Sequence, residues 1–341
     1  MSTDAPTGDA GTPQSAGRPV AVVLGSHLDG RRPGAVDACD DLMREVPAVV
    51  HLARYSTGVC DFALDSAPHT VDSTTLSAEE RQLVDRDVVH VMTYLDAQLR
   101  PARSGNLLRI VLHTVRGALF VLQVRREQYL VAMVHPEGVP AAGAEPGPSG
   151  VQAADVALSR LANRLRNATS QPALDYGGWL RFGVLADAVE HGETRTTKTP
   201  RARMWAVDSS YADLATICRD HLDPQSLHYA AVCRPGQVEA TADLLDDDRL
   251  EPFADTIGPG RRRAFYGLVG QQIDVLLRMV VRAAHPALGS RVRRLVLDVE
   301  EGALYCYPVG LDRYLFAVTL AQEGIASSDE RVALLSRELS G

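Results

Sequence analysis

Arg116–Val134 reads "RGALFVLQVRREQYLVAMV", and Glu301–Thr319 reads "EGALYCYPVGLDRYLFAVT". Each stretch opens with Gly-Ala-Leu, runs through apolar residues, and meets Tyr-Leu ten residues after that Leu. The two lie 185 positions apart, and an ungapped comparison extends over Leu107–Val134 and Val292–Thr319, with ten of twenty-eight positions identical. Arg109/Arg294, Gly117/Gly302 and Tyr129/Tyr314 are among them. Upstream at the same offset, Val84, Val88, Val91, Met92 and Leu95 fall on Val269, Ile273, Leu276, Leu277 and Val280. A repeat this long, in two copies, is a duplicated domain rather than a solenoid.

Each copy reads as one order of elements. Val36–Val46 and Leu214–Leu222 carry apolar residues at helical spacing. Strands follow around Val49–Tyr55 and Leu227–Cys233, each turning through a glycine into a second strand. Here the offset is 177, matching Pro47 with Pro224 and His51 with His228, so the second copy holds about eight extra residues in "DDDRLEPFADTIGPG". Next comes a long helix. In the first copy Ser77 followed by Glu80 forms a capping-box pattern. In the second it runs through "RRRAFYGLVGQQIDVLLRMVVRAA" and stops at His285-Pro286. Three strands follow in each copy, with Gly117 and Gly302 in tight turns. An amphipathic helix closes each, on Val151, Ala154, Leu158, Leu161 and Leu165, and on Val332, Leu335 and Leu339. The fold class is therefore α+β: two copies of a five-stranded antiparallel sheet with flanking helices, α-ββ-α-βββ-α. Residues 1–18 read as a disordered tail, 19–170 as the first domain, 171–208 as a linker with one short helix around Trp179–Val189, and 209–341 as the second domain. Val139–Gly150 reads as a loop.

The 341 residues suffice for two cores. A net charge of −8 argues against broad binding to nucleic acid or anionic membrane. Lys198 is the only lysine, which reads as Arg codon bias. The start has neither the basic nor the apolar region of a signal peptide, and no apolar run approaches a membrane span. Five cysteines without a Cys-x-x-Cys pair read as reduced thiols in a cytoplasmic protein.

This text resembles the Roadblock/dynein-light-chain family, a profilin-like and longin-like fold. The resemblance rests on "VDSTTLSAEERQLVDRDVVHVMTYL" leading into a strand, then "VRGALFVLQVRREQYLVAMV", and covers roughly Val36–Asn167 and Tyr211–Leu339. It implies a role in bacterial signalling rather than a reaction: regulating or scaffolding a small Ras-like GTPase. The alternative is a protein-interaction adaptor with no GTPase. Most bacterial members carry one domain and homodimerise, whereas this chain carries two. An intramolecular pseudo-dimer is the expectation, with Ile110–Val115 antiparallel to Leu295–Glu300 in one sheet of ten strands. Its interface would comprise Val88, Val91, Met92, Leu95, Ile110, Val111 and Leu112, with Ile273, Leu276, Leu277, Val280, Leu295, Val296 and Leu297.

No chemistry rises to a catalytic site, and no cofactor is implied. Cys218, His221, His228 and Cys233 include a helical pair suited to zinc, but His228 and Cys233 are five strand positions apart and point to opposite faces. They read as core and surface residues. Asp246, Asp247 and Asp248 lack the calcium-loop spacing and read as a solvated or docking surface. Arg261, Arg262 and Arg263 at a helix start read as exposed, or as a contact to a phosphate held by a partner. No phosphate loop is present, so the chain is not itself a GTPase. Ser26 and His27 lack a third catalytic group and a nucleophile turn.

Overall fold

A computed structural model describes residues 19–66, 76–135, 150–174, 176, 200–289 and 291–341. The tail at 1–18, most of the Val139–Gly150 loop and the helix expected around Trp179–Val189 lie outside the described residues. The first copy contains β1 (Val20–Leu24), α1 (Ala35–Glu45), β2 (Val49–Ser56), β3 (Val59–Ser66), α2 (Ala78–Leu99), β4 (Leu107–Thr114), β5 (Ala118–Arg125), β6 (Gln128–Val134) and α3 (Gly150–Asn167). The second contains β7 (Arg203–Ala206), α4 (Ala212–Asp220), β8 (Tyr229–Arg234), β9 (Gln237–Asp243), α5 (Pro259–Gln271), α6 (Ile273–Leu288), β10 (Val292–Val299), β11 (Gly302–Pro308), β12 (Tyr314–Thr319) and α7 (Ile325–Ser340).

The strands form one antiparallel sheet of twelve, ordered β1-β3-β2-β6-β5-β4-β10-β11-β12-β8-β9-β7. The single sheet expected to hold ten strands holds twelve. Each copy adds a short edge strand, β1 or β7, and β4 pairs with β10 at the centre, Leu112 opposite Leu295 and Ile110 opposite Leu297. β7 falls within the stretch read as linker. Its four residues pair only with β9 and stay largely exposed, so they carry no alternation to betray a strand.

Helices cover both faces of the sheet, and the apolar core on each face runs without interruption from one copy into the other. α1, α3, α4 and α7 lie over one face; α2, α5 and α6 lie over the other. α2 is a single 22-residue helix opened by the Ser77–Glu80 capping box. Its counterpart breaks at Gln272 into α5 and α6, which meet at 54°. At the 185 offset Asp85 corresponds to Gly270, where a Cβ would stand 3.0 Å from the Cys233 sulfur. Glycine lets α5 sit down on the sheet there, and two glycines in "YGLVGQ" weaken the helix where it bends. Pro286 does not end α6, which continues to Leu288. A proline in the last turn forfeits one backbone hydrogen bond, and buried Ala287 and Leu288 hold that turn in place.

The strand register also corrects the match of His51 with His228. His51 lies opposite Asp65 in the first hairpin, and Tyr229 lies opposite Asp243 in the second. The hairpins therefore align at 178, with His51 on Tyr229. A one-residue slip exchanges the two faces of a strand, so the distinction decides which side chains are equivalent.

Candidate partner-binding face and the buried polar clusters

α2 and α6 pack side by side over the sheet centre. Val88, Val91, Met92 and Leu95, and Ile273, Leu276, Leu277 and Val280, are all buried. Large apolar side chains also remain on the exposed sides of this layer: Leu83 (51%) and Tyr94 (42%) on α2, Leu268 (57%) on α5 and Val275 (50%) on α6. Arg86 and His90 on α2, and Arg278, Arg282 and His285 on α6, are exposed on the same helices. Arg278 is tied back to Asp274 at 2.5 Å. Glu79, Glu80 and Asp87 on α2 are exposed as well, so the layer presents apolar residues among charges of both signs. Beside the first turns of α2 a groove of about 660 Å³ opens, walled by Leu24, Tyr55, Val59, Leu83 and Arg86.

Tyr55 separates that groove from a buried cluster found in the first copy only. His51 lies between Asp65 (2.8 Å) and Asp85 (2.9 Å), and the Tyr55 hydroxyl is 3.4 Å from Asp85. Arg81 stands 2.7 Å from Asp65. Burial alone pushes the imidazole down, but the Asp85 and Asp65 carboxylates outweigh it and raise His51 to about 9. Two cations then balance two carboxylates. In the second copy the matching positions are Tyr229, Cys233 and Gly270, and Asp243 pairs with Arg263 instead.

A second cluster spans the junction between the copies. Arg109 on β4 bonds Asp155 of α3 and, across the seam, Asp298 of β10. Its equivalent, Arg294, bonds Asp329 of α7, which also accepts from the Tyr307 hydroxyl at 2.9 Å. The repeat in the sequence shows both arginines. The closing helices repeat their partners too: the offset of 174 that sets Leu158, Leu161 and Leu165 on Val332, Leu335 and Leu339 sets Asp155 on Asp329, whereas Asp298 falls on His113 and has no acidic counterpart.

Several residues singled out from sequence sit elsewhere than expected. Arg262 is 2% exposed and donates to the Phe253 carbonyl. Arg263 is held by Asp243 and Asp246, each at 2.7 Å. Asp247 is buried, accepts from the Arg201 backbone, and pairs with Arg249, whose hydrogen bonds keep its carboxyl far below the usual range. The acidic loop and the arginines thus bind one another and neighbouring backbone, which corrects the reading of a free docking cluster. Arg261, Asp246 and Asp248 remain exposed. The four residues weighed for zinc are dispersed. Cys218 and Cys233 lie in cores on opposite faces of the sheet, and His221 pairs with Glu338. His228 accepts from the Leu320 N–H and donates to the Pro224 carbonyl, and burial lowers it to about 4. Among the described residues no group of side chains is placed to hold a metal ion.

No model of a protein family matches the chain, and no curated protein matches it. Seven chains of solved structures do. One is "MglB with tetrameric arrangement", 15% identical, covering 40% of this chain and 88% of that one with a TM-score of 0.28.

Proposed function

We propose that this chain is a cytoplasmic, non-enzymatic regulator or scaffold of a small Ras-like GTPase, with the exposed side of the α2/α5/α6 layer as its docking face. The observation that carries the reading is the placement of Leu83, Tyr94, Leu268 and Val275. Four large apolar side chains left exposed on one helix layer, among polar and charged neighbours, are the composition of a protein-docking patch. The sequence resemblance supplies the class of partner. The two copies contribute different residues to the layer, α2 as one continuous helix and α5/α6 as a bent pair, which suits one asymmetric partner.

The experiment uses the purified chain and small Ras-like GTPases from the same genome, loaded with GDP or a non-hydrolysable GTP analogue. Binding that is lost in both Leu83→Glu and Val275→Glu, with melting unchanged, supports the reading. Tight GTP binding or hydrolysis by the chain alone, or binding unaffected by both substitutions, sinks it.

A further inference from the structure

The seam cluster contains three carboxyl groups, Asp155, Asp298 and Asp329, against two guanidinium groups, Arg109 and Arg294. All five residues are at most 8% exposed. If every carboxyl ionises, one negative charge is left without a counter-charge inside the protein. A buried charge in that position is relieved most cheaply by taking up a proton.

Among the described residues, the neighbouring groups supply no further positive charge to Asp155 and Asp298. From β4, His113 lies opposite Arg294, and burial together with Arg294 and Arg293 holds it down to about 4, so it stays neutral. From β11, Tyr305 and Tyr307 bring hydroxyls that burial keeps protonated. From α3, Ser159 brings a neutral hydroxyl 3.5 Å from Arg109. Asp329 is the best served acid: the Arg294 guanidinium, which also donates to Tyr307, bonds both of its oxygens, and the Tyr307 hydroxyl donates to it as well. Asp155 and Asp298 must share Arg109, and Asp298 Oδ1 is buried without a hydrogen-bond partner. The deficit therefore falls on the Asp155–Asp298 pair.

We propose that the junction of the two copies is a proton-binding site: near neutral pH the Asp155–Asp298 pair, held by its common partner Arg109, carries one proton on one or the other carboxyl, and losing it loosens the β4–β10 pairing. Protonation belongs to the pair rather than to either residue. Burial outweighs Arg109 and lifts Asp298 to about 7, and it lifts Asp155 in the same direction. A carboxyl raised on folding contributes stability at low pH that is lost as pH rises through the folded value. The seam is thus tighter in mild acid and looser above neutrality.

The test is an infrared titration of the full chain from about pH 5 to about pH 9, where exposed carboxyls are ionised. A carbonyl band of an un-ionised carboxylic acid that fades through neutrality is expected, and it should be lost in Asp298→Asn or Asp155→Asn. Amide hydrogen exchange gives the second readout, independent of any variant. After correction for intrinsic base catalysis, Ile110–Leu112 should open roughly tenfold more often at about pH 8 than at about pH 6, relative to the β5–β6 pair. A wild-type chain with no titrating band, a band unchanged in both variants, or seam amides that track β5–β6 at every pH overturns the proposal.

Discussion

Arg109 and Asp298 stand 189 positions apart in the chain and face each other directly across the β4–β10 seam, with Arg109 Nε 2.5 Å from Asp298 Oδ2. The same guanidinium reaches Asp155 on α3. One side chain therefore ties a strand and a helix of the first copy to a strand of the second. Arg109→Met leaves two acids without their cation, and the expected loss is about 3–5 kcal/mol in chemical denaturation. Replacing Asp155 and Asp298 by Leu and Val alongside it should restore most of that loss, because a buried ion cluster exchanged whole for apolar groups is often near neutral. A single variant as stable as wild type would show that the cluster holds nothing together.

Gly302 and Thr319 make a second close approach. Gly302 has φ 104°, and a Cβ there would stand 2.1 Å from the Thr319 carbonyl oxygen. Gly117 repeats the geometry in the first copy, with Val134 as the neighbour at 2.2 Å. Backbone strain alone costs about 1–3 kcal/mol, and displacing a paired strand adds to it. Even Gly302→Ala should cost about 3 kcal/mol or more. Gly267 on α5 has open space around its would-be Cβ, so Gly267→Ala should stabilise by about 0.5–1 kcal/mol. Thermal melts of the pair decide both.

His51 gives the first copy its own pH signature. Its folded value of about 9 lies above the ordinary 6.5 because Asp85 and Asp65 outweigh burial. A histidine raised on folding contributes stability that is fully present below about 6.5 and lost as pH rises through about 9. The loss should approach about 3 kcal/mol, since each tenfold gain in proton affinity on folding is worth about 1.4 kcal/mol. Urea titrations across that window should show the slope in wild type and not in His51→Gln. A slope that survives the substitution would place its origin elsewhere.

The helix layer offers a check on bending. Gly270→Ala puts a methyl group 3.0 Å from the Cys233 sulfur and 3.3 Å from Val238. The helix gains intrinsic propensity but must lift off the sheet. A net loss of about 1–3 kcal/mol is expected in denaturant melts, against a gain at Gly267 on the same helix.

What the sequence discloses is whatever recurs. Gly117/Gly302 and the apolar strands after them stand out because the central strands are buried on both faces and change little between copies. The seam partners Leu112 and Leu295 follow from the same repetition. Features found in one copy are harder to see. So are the edge strands β1 and β7, which recur in both copies but as unlike texts, an all-apolar VAVVL and a largely exposed RMWA. The bend at Gln272 depends on how closely Gly270 approaches Cys233, a tertiary fact. His51 falls one residue out of register in sequence because Pro47 and Pro224 suggest an offset that the strand pairing does not keep. Arg262 and Arg263 look like a surface run because nothing local says that one turns inward to Phe253 and the other reaches back to Asp243. Leu83 and Tyr94 each sit one position before a core residue, Val84 or Leu95, and merge with the stripe. Of the acids that serve Arg109, Asp155 recurs as Asp329 in the other closing helix, whereas Asp298, 189 positions away, stands where the first copy has His113 and nothing local marks it.

The seam carries His113 on one side of its approximate axis and Asp298 at the matching place on the other. An assembly of two identical polypeptides has no means of writing that difference, because a codon change there appears on both sides at once. Fusing the copies into one reading frame removes the constraint. Arg109 can keep an acid opposite it while Arg294 faces a neutral ring. Each side can then accept a mutation that would have been intolerable in duplicate.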